Sequence, residues 1–80
     1  MSNDTTYNGW TNWATWNVNL WAMNDEYIYR MVMRNQPYDA DNVEKMVRRH
    51  IYPEGTPDMD SAKEMDDVNW EEIAEGWNEE

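Results

Sequence analysis

His50 is the single histidine of the chain, and it follows Arg48 and Arg49 at the end of an expected helix. Positive charge at a helix C-terminus meets the favourable end of the dipole, so this setting favours a structural or solvated role over acid–base work. Ser2 lies in the N-terminal tail and Ser61 beside an expected helix cap, which leaves a Ser–His–Asp arrangement without a nucleophile. Cysteine is absent, excluding thiolate catalysis, thiolate metal sites and disulfides. Gly9, Gly55 and Gly76 are too far apart to cradle a phosphate. Asp58-Met-Asp60 begins like a calcium loop, but Ala62 stands where a third ligand belongs. Lys63 replaces the turn glycine, and Asn69 replaces the bidentate glutamate. Asp39-Ala-Asp41-Asn-Val43 fails in the same way. Paired carboxylates are too numerous for any one pair to read as a glycosidase site. The expectation is a protein that is not an enzyme and needs no cofactor or metal.

Charge leaves binding as the open chemistry. Seventeen acidic residues against six basic ones give a net charge of −11. Residues 1–53 hold six acids and five bases, whereas residues 54–80 hold eleven acids and only Lys63. The acidic third repels nucleic acid and anionic membrane directly and attracts basic surfaces. Glu71, Glu75 and Glu79 recur every fourth residue, so on a helix they form one row, with Cβ atoms about 5–6 Å apart. Glu72, Asp66 and Asp67 widen that surface. These six residues are the candidate partner-binding set, and the candidate partner is a basic, nucleic-acid-binding protein surface. The competing reading is a solvated face that only keeps the chain soluble.

Local signals define the elements that would carry these groups. Asn8-Gly9 predicts a turn, and Asn12 a cap for a first helix over about residues 13–23. Trp16, Val18 and Leu20 alternate with asparagines, which is also strand periodicity. The helix is favoured because Trp13, Trp16, Leu20 and Met23 form a helical stripe. Ala14, Val18 and Trp21 form a second, so the element is apolar around most of its girth. Asp25 caps a second helix through about Arg34, with Ile28, Met31 and Val32 inward and Tyr27 and Met33 at the flanks. Asp39 or Asp41 starts a third, with Val43, Met46, Val47 and Ile51 inward. Residues 52–57 read as a loop, and Asp60 or Ser61 begins a short helical turn holding Ala62 and Met65. Asn69 and Glu72 read as a capping box for a last helix whose inner face is Trp70, Ile73, Ala74 and Trp77.

The predicted fold is all-α: a single small domain of four to five short helices around a Trp-rich N-terminal helix. Residues 1–6 are expected to be a frayed tail, residues 7–53 the near-neutral part and residues 54–80 the acidic part. A chain of this length buries only about 60–65% of its unfolded surface. Six tryptophans and five tyrosines are the compensation, each large ring burying roughly 150–250 Å². Their N–H and O–H groups equally suit a recognition surface or a homodimer interface, so both uses stay open. Met1 reads as a genuine start. Without a signal-peptide pattern or a membrane-length apolar run, the expected location is the cytoplasm.

Tyr7-Asn8-Gly9-Trp10, Asn12, Thr15-Trp16-Asn17 and Leu20-Trp21 together resemble the signature of small uncharacterised proteins of bacteriophages and their hosts. Asn24-Asp25 and Val68-Asn69-Trp70 extend the likeness; apart from that tripeptide, the acidic C-terminal third lies outside it. The resemblance implies a phage or mobile-element origin and assigns no activity or site residue. Joined to the acidic row, it gives the functional expectation. The expected protein is a phage-type inhibitor of a host nucleic-acid-binding defence enzyme (anti-CRISPR or anti-restriction in type), acting as an acidic DNA mimic by steric and electrostatic blockade. The alternative is a Trp/Tyr-centred interaction module or homodimer without mimicry.

Overall fold

The computed structural model describes residues 7–79; the tail expected over residues 1–6 lies outside them. Four α-helices follow in order: α1 Trp13–Asn24, α2 Glu26–Arg34, α3 Ala40–Met46 and α4 Trp70–Glu79. A π-helical turn, Val47–Ile51, continues α3, and a 3₁₀ helix, Ala62–Asp67, precedes α4. No strand forms among the described residues, so the fold is all-α and residues 16–20 are helical.

Capping decides where the helices start. Asn12, Asp25, Asp39 and Asn69 each accept the backbone N–H of the third residue onward, satisfying one of the amides that a helix start leaves open. Ahead of α1, Asn8 and Gly9 take positive φ of 48° and 89°, and Tyr7 and Trp10 exchange backbone hydrogen bonds of 2.8 Å in both directions. That is the two-residue turn for which Asn-Gly is suited. The Tyr7 ring then lies 4.7 Å from the Trp16 ring, tilted by 51°.

α1 is central, touching α2, α4 and the 3₁₀ helix. Of its two apolar stripes the fold buries the lighter one. Ala14, Val18 and Ala22 face inward together with Thr15 and Asn17. Trp13 and Met23 reach the core from its edge, while Trp16, Leu20 and Trp21 stay half-buried outside the core cluster. Small residues let the helix axes approach closely, and the rings then close the flanks. The tryptophan at the centre comes from the other end of the chain. Trp77 is fully buried, donates its indole N–H to Asn19 Oδ1 at 3.0 Å, and meets Tyr38 edge-on at 5.3 Å.

α2 buries Val32, with Ile28 and Met33 packed against the core. Met33 thus takes the inward place expected of Met31, and Tyr27 is 76% exposed. The connector from α2 to α3 is clamped onto the end of α4. The Tyr38 N–H donates to Asn78 Oδ1 at 2.7 Å, Asn78 Nδ2 donates back to the Tyr38 carbonyl at 2.8 Å, and Gln36 Nε2 donates to the Trp77 carbonyl. Tyr38 Oη donates to the Val32 carbonyl at 3.0 Å, and burial holds this phenol above its ordinary pKa. No helix among the described residues is long and apolar enough to cross a membrane.

Candidate functional site

α4 carries the candidate site because its inner face is apolar and its outer face is not. Ile73, Ala74 and Trp77 are buried, while Glu71, Glu75 and Glu79 are exposed in one row on the far side. This row costs stability. Like charges four residues apart on a helix repel by about 0.2–0.5 kcal/mol per pair. Glu79 also sits in the last turn, where no basic residue offsets it against the negative end of the dipole.

The remaining members of the predicted set divide by what they touch. Glu72 is half-buried, and its Oε1 accepts the Thr11 backbone N–H at 3.0 Å. In an ordinary capping box it would reach back to the Asn69 N–H; here Thr15 Oγ1 accepts that amide at 2.9 Å. Only the Asn69 half of the expected box therefore forms, with the Glu72 N–H donating to Asn69 Oδ1 at 3.1 Å. Asp66 accepts from Arg48 Nη2 at 3.0 Å. Arg48 also donates to Glu44 Oε2 at 2.8 Å and lies 5.6 Å from the Trp70 ring centre. Burial pulls the guanidinium down, but its bonds to Glu44 and Asp66 outweigh that and hold its pKa above the ordinary value. Asp67 is exposed, and its backbone carbonyl accepts from Asn12 Nδ2 at 2.7 Å. Asp67, Glu71, Glu72, Glu75 and Glu79 form no ion pair among the described residues.

Trp10 completes the face. A shallow groove of about 200 Å³ runs between the N-terminal turn and α4, lined by Gly9, Trp10, Glu72, Glu75, Gly76 and Glu79. Gly76 makes it: a Cβ there would stand 3.4 Å from Trp10 Cη2, so the indole lies directly on the helix. An aromatic wall beside three carboxylates, with no cation among the lining residues, is chemically a place for a positively charged side chain. Sequence spacing identified the carboxylates. It did not place Trp10 or Gly76 beside them, since the only local signal was a glycine inside a helical pattern.

The basic residues of the middle of the chain are largely spent within it. Arg30 pairs with Glu26, Lys45 with Asp41 and Arg48 with Glu44 and Asp66. Among the described residues no group of three or more His, Cys, Asp or Glu side chains is arranged to hold a metal. Asp58, in the stretch that begins like a calcium loop, instead accepts from Asn17 Nδ2 at 2.8 Å and Trp21 Nε1 at 2.9 Å.

No curated protein matches the chain, and no solved structure matches it. A family of unknown function, DUF7249, matches residues 3–79. With nearly its whole length covered, from the N-terminal turn through α4, the chain belongs to that family.

Proposed function

We propose that this chain is a phage-type inhibitor that works without catalysis in the host cytoplasm. It seats the acidic face of α4 on the basic, nucleic-acid-binding surface of a host defence enzyme. The observation that carries the reading is the set of carboxylates with no ion-pair partner among the described residues. Glu71, Glu75 and Glu79 stand in a row, Asp67 is exposed on the turn before α4, and the Trp10 groove opens between Glu72, Glu75 and Glu79. A partner that brings positive charge relieves their mutual repulsion. Asp66, already held by Arg48, and Glu72, half-buried and bonded to Thr11, are the least available of the six.

Magnitudes favour a mixed contact over pure charge imitation. The row from Glu71 to Glu79 spans about 12 Å of helix axis. A duplex presents roughly seven phosphates over that length, and α4 presents four glutamates. Trp10 supplies the short-range complement, because a guanidinium can stack on its ring while meeting a carboxylate.

The test is capture of partners from a host lysate at low and at high salt. A nuclease retained at low salt, displaced by duplex DNA and lost with Glu71→Lys plus Glu75→Lys supports the reading. Unchanged capture by that double variant ends it.

A second reading rests on the outer side of α1. Trp16 and Leu20, one turn apart, lie outside the core cluster beside Tyr7, which is 41% exposed. Residues 7–24 contain no ionisable group apart from Tyr7, so this is a face on which two strongly acidic chains approach without added repulsion. It calls for salt-tolerant self-association that Trp16→Ala removes; sedimentation at high salt decides it.

A further inference from the structure

At the end of α1 opposite the acidic groove lies a second cavity, of about 250 Å³, lined by Trp21, Asn24, Asp25, Tyr52 and Pro57. Its two rings come from distant parts of the chain; the Trp21 ring is held by a hydrogen bond of its own, and the Tyr52 backbone is fixed on both sides. Trp21 donates its indole N–H to Asp58 Oδ2 at 2.9 Å. The Tyr52 N–H donates to the Val47 carbonyl at 2.8 Å, and the Tyr52 carbonyl accepts from Gly55 at 3.0 Å. The Trp21 indole and the Tyr52 backbone are therefore positioned before any ligand arrives, which lowers the cost of binding.

The charge around the cavity has one sign. No lysine, arginine or histidine lines it. Asp25 spends Oδ1 on the Ile28 N–H at 3.1 Å, which leaves Oδ2 to serve a ligand. Its field reaches the cavity wall: the Tyr52 phenol is raised by burial and further by the Asp25 charge. The Asp58 carboxylate behind the indole N–H adds to the negative potential on that side.

From these observations we propose that the Trp21–Tyr52 cavity is a binding site for an organic cation, an alkylammonium head group. Ring faces attract such a cation through their quadrupoles, and its methyl groups pack against Pro57 while Asp25 meets its charge. An anion is repelled by the same carboxylates, and a neutral apolar ligand gains nothing from them. The volume lies below the roughly 300–1,000 Å³ of pockets that enclose drug-sized ligands, so the site takes a head group alone. A free quaternary ammonium compound and a methylated lysine side chain share that chemistry. The site is separate from the α4 face and stands whatever becomes of the inhibitor reading.

The experiment is a heteronuclear NMR titration of the whole protein at constant ionic strength, following the Trp21 indole N–H cross-peak, assigned with Trp21→Phe. Choline, its neutral carbon isostere dimethylbutanol, and N-acetyl-trimethyllysine amide are added in turn. The cations are expected to move the peak saturably in the millimolar range, and the alcohol is expected to leave it in place. Asp25→Asn keeps the α2 cap, since asparagine caps as well as aspartate, and should weaken choline binding at least about fivefold. Tyr52→Leu, checked for folding by circular dichroism, should abolish it. Tighter binding of the lysine derivative than of choline assigns the site to a protein side chain, and equal binding assigns it to the free cation. Equal shifts with dimethylbutanol and choline, no shift with either cation, or undiminished choline binding by Asp25→Asn overturns the proposal.

Discussion

The Glu72 carboxylate accepts the backbone N–H of Thr11 at 3.0 Å, across 61 positions of sequence. This bond ties the N-terminal turn to α4 and separates Glu72 from its acidic neighbours. A hydrogen bond to a charged group contributes about 1.5–3 kcal/mol when shielded, and less here because the site is only half-buried. Glu72→Ala should therefore lower stability by about 1 kcal/mol, and Glu72→Gln, which keeps an acceptor, by less. Glu75→Gln should be neutral or stabilising by a few tenths of a kcal/mol, since it removes repulsion within the Glu71–Glu75–Glu79 row. Urea midpoints of the three variants check this. An equal loss for Glu72→Gln and Glu72→Ala would show that charge, and not the acceptor, matters at this position.

Asn17 joins α1 to the loop between the π-helical turn and the 3₁₀ helix through one buried amide. Its Oδ1 accepts from Thr56 Oγ1, and its Nδ2 donates to Asp58 Oδ2 at 2.8 Å. Asn17 is fully buried and Thr56 is 2% exposed. Asn17→Ala strands the Thr56 hydroxyl away from water and leaves a small void, so the expected loss is about 2–4 kcal/mol. Thr56→Val removes the hydroxyl but leaves Asn17 Oδ1 unpaired. The double variant has no orphaned group at that contact, and its loss should fall short of the sum of the two single losses. Denaturant unfolding of the four proteins supplies the cycle; strict additivity would break the link between Asn17 and Thr56.

These relationships mark where sequence reading stops. The caps were legible because capping is local: Asn12, Asp25, Asp39, Ser61 and Asn69 each bond within three residues of themselves. The acidic row was legible because α4 has one apolar stripe, which fixes its outward side. α1 has apolar residues all round, so periodicity cannot say which stripe turns inward. The answer depends on how closely α2, α4 and the 3₁₀ helix must approach, and Ala14, Val18 and Ala22 permit that approach where Trp16 and Leu20 do not. Long-range polar pairs left no local trace either. An asparagine at position 17 reads only as a poor helix former, and nothing near Asp66 announces Arg48.

Gly76 offers a direct test of how Trp10 is seated. Glycine inside a helix costs about 0.5–1 kcal/mol relative to alanine, and a Cβ at this position would meet Trp10 Cη2 at 3.4 Å, an ordinary contact. Gly76→Ala should therefore stabilise the fold by about 0.5 kcal/mol, raising Tm by roughly 2–4 °C for a domain of this size. Gly76→Leu has no room on that side. It should displace the indole, close the groove between Trp10 and Glu75, and redden the tryptophan emission. A destabilised Gly76→Ala would show that the indole sits tighter on the helix than this contact allows.

Asp58 gives the fold a defined acid response. Hydrogen bonds from Trp21 first, and then Asn17, hold its carboxyl below the ordinary value of 3.8. A carboxylate depressed in the folded state binds its proton later than the unfolded chain does. Its contribution is therefore complete above the unfolded pKa and is lost as pH falls below about 4 and through the folded value. Absolute stability is a poor reporter, because protonating the other acids also relieves the repulsion of a chain with net charge −11. The difference between the wild type and Asp58→Asn isolates the effect. Asparagine keeps an acceptor for the Trp21 indole and has nothing to titrate. Urea midpoints of both proteins, measured from pH 6 to pH 2.5, should show a wild-type advantage that is constant above about pH 5 and shrinks below pH 4. Trp21 emission should shift over the same interval in the wild type alone. An advantage that stays flat to pH 2.5 would mean that the Trp21 and Asn17 bonds do not distinguish a carboxylate from an amide.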